Sequence, residues 1–169
     1  MIKLKEGDLQ AAGQLFELYN KRLYNYFLKM TFDREVSADL TQNVFLRMLK
    51  YRVSFRGDKP FKSWIFQIAR NAMNDHFRKE KKYSDYVDID SVAESVGDDE
   101  SKEGQYQTLY RSMAKLDPET RELLVMSKFR KMKYEEIGDV LDLTVSNVKI
   151  KVHRAIKKLR DHYYELEKI

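Results

Sequence analysis

The chain has 169 residues, 32 of them Lys or Arg and 27 Asp or Glu, for a net charge of +5. That length allows one domain or two small ones, and a 43% hydrophobic content is enough for a core and argues against wholesale disorder. The absence of Cys excludes a disulfide scaffold, a thiolate metal site and a cysteine nucleophile. Six Gly and two Pro against 35% charged residues favour helices over a turn-rich sandwich or barrel. No apolar run approaches the roughly 18 residues that span a bilayer, and the first residues, Met1 to Glu6, lead into no signal-peptide core. The expectation is a soluble, intracellular, all-α protein.

The apolar spacing predicts the elements in turn. From Asp8 to Met30, steps of three and four through Leu9, Ala12, Leu15, Phe16, Tyr19, Leu23, Tyr26, Phe27 and Met30 trace one stripe of an amphipathic helix. A second stripe runs Val36, Leu40, Val44, Phe45, Met48, Leu49, with Ser37 or Asp33 as cap. Gly57 and Pro60 mark a loop, and a third stripe runs from Phe61 through Trp64, Ile65, Ile68, Ala69, Ala72 and Met73 to Phe77. A further helix is expected around Thr108 to Lys115. Asp117-Pro118-Glu119 then gives an N-cap, a proline at the first helical position and an acid in the first turn, opening a helix to about Arg130. Tyr134 to Leu141 forms the next helix. After Asp142-Leu143-Thr144, with Thr144 as cap, a last stripe runs Val145, Val148, Val152, Ile156, Leu159.

Charge is unevenly placed. Residues 1–82 carry 17 basic and 9 acidic side chains, net +8; residues 83–107 carry 1 and 8, net −7; residues 108–169 carry 14 and 10, net +4. The middle strip lacks helical periodicity and reads as a flexible acidic linker between two small helical domains.

Two patterns carry chemistry. Two helices joined by a short turn, the second bearing Lys149, Lys151, Arg154, Lys157 and Lys158 away from its apolar stripe, form a helix-turn-helix pattern suited to a major groove. An ordinary helical hairpin with a solvated basic face has the same signature. In the first domain, Arg70 to Lys82 interleaves bases and amides with aromatics, downstream of Phe55, Phe61 and Trp64. Cations for a backbone and rings for stacking suit a single nucleic-acid strand, whereas Trp64, Ile65 and Ile68 at helical spacing also suit a core. Asp39, Gln42 and Asn43 share one polar helix face, either solvated or in contact with a partner. Three His without Cys or paired His–carboxylate spacing give no metal site, and no cofactor is implied.

In this order the segments resemble a bacterial sigma factor of the extracytoplasmic-function (ECF) group of the sigma-70 family. Asp39-Leu-Thr-Gln-Asn-Val-Phe45 resembles the signature of region two. Ser54-Phe-Arg-Gly-Asp58, Phe61-Lys-Ser-Trp64 and Ile68-Ala-Arg-Asn71 resemble its promoter-melting segment. Leu116 to Leu124, Tyr134-Glu-Glu-Ile137 and Val148 to Ala155 resemble region four. The resemblance implies a non-catalytic specificity subunit of RNA polymerase. Residues 1–82 would bind core polymerase and melt the minus-ten element, 83–107 would be the linker, and 108–169 would read the minus-thirty-five element. It places Asp39, Gln42, Asn43 and Phe45 on the beta-prime clamp helices of core polymerase. Phe55 and Asn71 would cradle a flipped minus-ten base, with Arg56 and Trp64 beside it and Arg70, Asn74, Arg78, Lys79 and Lys82 on phosphates. Lys149, Ile150, His153 and Arg154 would meet the minus-thirty-five element, with Tyr134 and Lys128 near its phosphates. It also implies a beta-flap contact for region four and a cognate anti-sigma factor.

Four residues depart from the family pattern. Asn43 replaces an acid at the expected polymerase contact. Lys133 stands where Ser or Thr caps the Tyr134 helix, which leaves that start without a side-chain acceptor. Asp142 stands where Gly is frequent, and Ile150 where Ser is usual in the recognition helix. The competing reading is a stand-alone helix-turn-helix regulator, which would have no need of the Asp39 and Phe55 segments.

Overall fold

A computed structural model describes residues 1–80 and 103–167, which are helical with no strand among them. Short α1 (Ile2–Lys5) leads into α2 (Gln10–Thr31), α3 (Arg34–Tyr51) and α4 (Phe61–Glu80); then come α5 (Glu103–Ala114), α6 (Pro118–Leu124), α7 (Tyr134–Leu141) and α8 (Val145–Glu167). Lys82 and residues 83–102 of the expected linker lie outside the described residues. The last part of that span begins α5, five residues ahead of the expected start.

Capping chemistry sets the boundaries. The Asp8 carboxylate accepts the Gln10 N–H at 2.9 Å and so fixes the start of α2. That helix ends where Phe32 turns left-handed (φ 57) and donates its N–H to Leu28. Asp33, not Ser37, caps α3, accepting from Val36 N–H at 2.9 Å; Ser37 is instead buried, within 3.0 Å of the Thr31 hydroxyl. Asp117 caps α6 through Thr120 N–H at 2.9 Å. The expected single helix to Arg130 changes character at Val125, where residues Val125–Phe129 form a π turn closed by Arg130 N–H on Val125 O at 2.9 Å. Lys131, at φ 48, follows it and sends the chain toward α7. Asp142 adopts the left-handed conformation (φ 55) that ends α7, a geometry that Asp tolerates better than most residues.

Helices α2, α3 and α4 pack into one bundle, and α8 lies across α5, α6 and α7. The two units are not separate. Helix α7 packs along α4, α6 and the π turn pack on α2, and one apolar cluster runs through both units, from Leu23, Tyr26, Phe27 and Ile65 to Leu123, Met126, Ile137 and Val140. Arg121 ties them further. It is largely buried between the units, donating to the carbonyls of Met113, Ala114 and Leu116 at the end of α5 and, at 2.8 Å, to Met30 of α2. Its guanidinium also lies 4.8 Å from the centre of the Phe32 ring.

Candidate nucleic-acid interfaces

Phe55, Phe61 and Trp64 meet edge-on or tilted, with ring centres 5.4 to 6.0 Å apart. Proline and glycine in the loop Arg56 to Pro60 fold it back over them, Gly57 taking φ +79, which a side chain would resist. The result is a cavity of about 170 Å³ lined by Phe55, Arg56, Ser63, Trp64 and Gln67, among others. The Ser63 hydroxyl is buried beside it without a hydrogen-bond partner. Phe55 is buried and Trp64 half-buried. For Trp64 the two readings therefore converge, because one ring both packs and lines a cavity. Asn71 and Arg70 do not line it. Asn71 instead belongs to an exposed stripe, Gln67, Asn71, Asn74, Arg78, that climbs α4 from the cavity at helical spacing. Lys79 is exposed alongside, and Arg78 donates to Asp75 at 2.8 Å. Gln67 was missed in the sequence, where it reads as a solvated residue inside an apolar stripe. Its spacing of four from Asn71 was the available signal.

Arg70 is differently placed. Its Nε donates to Glu122 of α6 at 3.2 Å, and Tyr26 Oη donates to the other Glu122 oxygen at 2.7 Å. Burial raises the Glu122 carboxyl above its ordinary range, against the opposing pull of Tyr26 and Arg70.

On α3, Asp39, Gln42 and Asn43 are exposed together with Leu46, 67% exposed, one turn further on. Phe45 is buried behind them against Phe16, ring centres 4.8 Å apart. It supports this face rather than presenting on it.

In the second unit, Val148, Val152 and Ala155 are buried against α6 and α7, while Lys149, Ile150, His153 and Arg154 are exposed. These four and Tyr134 line one open groove of about 620 Å³; Lys128 is exposed outside its lining. Lys133 does not cap α7 with its side chain, yet that start is held, because Glu136 accepts the Lys133 N–H at 2.8 Å. Gly138 was also missed. A Cβ there would sit 2.5 Å from the Leu143 carbonyl oxygen, so only glycine lets the turn pass this close to α7.

Residues 15–83 match Sigma-70 region 2 and residues 106–159 match Sigma-70, region 4. The chain is 27% identical over 153 residues to RNA polymerase sigma factor YlaC of Bacillus subtilis (strain 168), covering 86% of this chain and 88% of that one. Identity to RNA polymerase sigma factor CarQ of Myxococcus xanthus is 27% over 169 residues, 99% of this chain and 97% of that one. To ECF RNA polymerase sigma factor SigM of Bacillus subtilis (strain 168) it is 28% over 153 residues, 89% and 93%. The fold resembles CnrH solved with the cytosolic domain of CnrY, at TM-score 0.73 and 24% identity over 95% of this chain and 92% of that one. It also resembles RpoE solved with the anti-sigma factor NepR from Bartonella quintana, at TM-score 0.74 and 18% identity over 89% and 94%. With two region matches in the right order and relatives spanning nearly its whole length, the chain belongs to the sigma-70 family, as an ECF-group RNA polymerase sigma factor.

Proposed function

We propose that this sigma factor reads promoter DNA through two surfaces of different construction and has no catalysis of its own. Residues 1–82 serve as the polymerase-binding and melting domain, 83–107 as the linker and 108–169 as the duplex-reading domain. The ring-lined cavity beside the exposed amide stripe carries this reading. Phe55, Trp64 and Arg56 take an unstacked minus-ten base, whose extraction costs a few kcal/mol that stacking and hydrogen bonds return. Asn71 and Asn74 take the bases or sugars that follow, and Arg70, Arg78 and Lys79 the phosphates. Lys149, Ile150, His153 and Arg154 enter the minus-thirty-five major groove, Ile150 against an apolar base edge such as a thymine methyl. Tyr134 and Lys128 contact its phosphates.

Asp39, Gln42 and Asn43 dock on the clamp helices of core polymerase with Phe45 as support, and region four meets the beta flap. An anti-sigma factor is a further partner; RpoE, of similar fold, was solved with the anti-sigma factor NepR. The site of action is the cytoplasm, and no described helix is long and apolar enough to cross a membrane. A stand-alone regulator would leave the α3 face and the ring cavity without a use.

The test is Asn71→Ala in reconstituted holoenzyme. Permanganate reactivity of the minus-ten element should fall more than closed-complex affinity in gel shifts. Equal losses would count against a role in strand separation. Failure of the wild-type chain to retain core polymerase at low salt would remove the docking reading.

A further inference from the structure

Short α1 has no part in the promoter contacts assigned above, and it lies ahead of the region 2 match, which begins at residue 15. It is nonetheless a fixed part of the first unit. Leu4 is fully buried in the apolar cluster, while Ile2, Lys3 and Lys5 are exposed. Behind it, Asp8 N–H returns to the Lys3 carbonyl at 3.0 Å, and the Asp8 carboxylate accepts the Gln10 N–H of α2. Helix α1 packs on α2 and on the turn Arg52–Ser54 that leads into the loop of the ring cavity. There the Lys5 ammonium donates to the Phe55 carbonyl at 3.1 Å, across 50 residues of sequence.

That carbonyl is where the loop begins. Phe55 N–H lies 3.4 Å from Arg52 O, long for a backbone hydrogen bond, so the turn by itself holds the start of the loop weakly. A charged donor makes the stronger bond, and Lys5 supplies it from a helix that Leu4 anchors in the core. On the other side of the same residue, the Phe55 ring packs on Phe61 and Trp64, with centres 6.0 and 5.4 Å away.

We propose that Lys5 is a positioning residue for base capture: with Leu4 as its anchor, it braces Phe55 and keeps the ring cavity formed before DNA arrives. A preformed pocket costs less to fill, because the loop is already ordered when the base enters. Lys5 itself touches neither the base nor a phosphate. This proposal rests on the assignment of the ring cavity to an unstacked minus-ten base.

The test uses reconstituted holoenzyme and two single strands carrying the minus-ten element, one intact and one with an abasic site at the position whose base enters the cavity. That position is found with the wild type, as the abasic site that costs most affinity. The ratio of the two affinities reads base capture alone; a general loss of fold or of polymerase docking lowers both affinities and leaves the ratio where it was. Lys5→Met keeps the side-chain length and removes the donor. The ratio should fall about threefold to tenfold, the worth of one hydrogen bond, with unchanged affinity for the abasic strand. Lys5→Arg should restore it. Leu4→Ala should lower the ratio too, and Lys5→Met added to it should lower it no further, because the two act through one brace. The salt slope of strand binding should be the same in wild type and Lys5→Met.

An unchanged ratio in folded Lys5→Met protein would overturn the brace. So would equal losses for both strands with a shallower salt slope, which would make Lys5 a direct phosphate contact. Fully additive losses in the double variant would overturn the anchoring role of Leu4. If no abasic position weakened binding by the wild type, the assignment of the cavity to a base would itself fail, a result separate from any effect of Lys5→Met.

Discussion

The two surfaces proposed to meet DNA are built by opposite means. In the first unit, the loop and α4 enclose rings in a cavity that a carboxylate from the second unit helps to line. In the second, α8 lays Lys149, Ile150, His153 and Arg154 open on a helix whose opposite stripe, Val148, Val152 and Ala155, is buried. A duplex can be met by a rigid exposed helix, because its groove already displays the base edges. A melted strand needs an enclosed site to repay unstacking. Enclosure, however, makes the first surface dependent on packing, while the second depends mainly on surface charge.

That contrast can be broken most directly at Phe55. Removing a buried ring that supports both the loop and Trp64 should cost about 3 kcal/mol of stability, read as a lower denaturation midpoint, together with loss of promoter opening. A normal midpoint would mean that the cavity does not depend on packing. The reverse pattern is expected for Lys149→Ala with Arg154→Ala: unchanged stability, but upstream-duplex affinity lower by about 1–3 kcal/mol for each side chain that meets a base. The salt slope should fall by about one for each phosphate that the variant no longer neutralises. A shifted melting curve would show that the second surface is also structural.

Gly138→Ala sharpens the comparison from inside the helix-turn-helix. Alanine ordinarily favours a helix, yet here its methyl would press on the Leu143 carbonyl. Calorimetry should therefore show destabilisation of about 2 kcal/mol, and a gain in stability would disprove the close approach. The smallest effect is expected from Asp117→Ala. Partial burial opposes ionisation of this carboxyl, but hydrogen bonds from Thr120 and the Lys158 ammonium hold it at about 2. Its stabilisation is thus complete above the ordinary carboxylate value near 3.8 and is lost as pH falls through about 2. Near neutrality the variant should be less stable by about 1 kcal/mol, and the two proteins should converge on acidification. A constant gap down to pH 2 would assign the loss to something other than the charged cap.

The elements that could be read from the sequence are those governed by neighbours. The 3.6-residue stripes, the Asp117-Pro118 start and the Thr144 cap all depend on residues a few positions apart; Thr144 Oγ1 does lie 3.3 Å from Asn147 N–H. The exposed face of α8 followed from the same rule. What escaped depends on distant partners. Glu122 resembles any acid on a short helix, and its burial is decided by Tyr26 and Arg70, 96 and 52 residues away. Gly138 looked ordinary because the atom that excludes a side chain there comes from the turn beyond α7. The division of charge into +8, −7 and +4 placed two basic units on either side of an acidic linker. It did not show that acids within the second unit, rather than the strip between, would meet the bases of the first.

The shared core also has a consequence for oxidation. Without cysteine, thioethers are the chain's only readily oxidised sulfur, and six of the seven methionines are buried. Met30, Met126 and Met132 belong to the cluster that runs through both units. Their burial shields these three sulfurs from peroxide while the units are packed together. A polar sulfoxide at any of them would then refill the same space poorly, so a brief exposure to oxidant would leave a lasting chemical record of having been open.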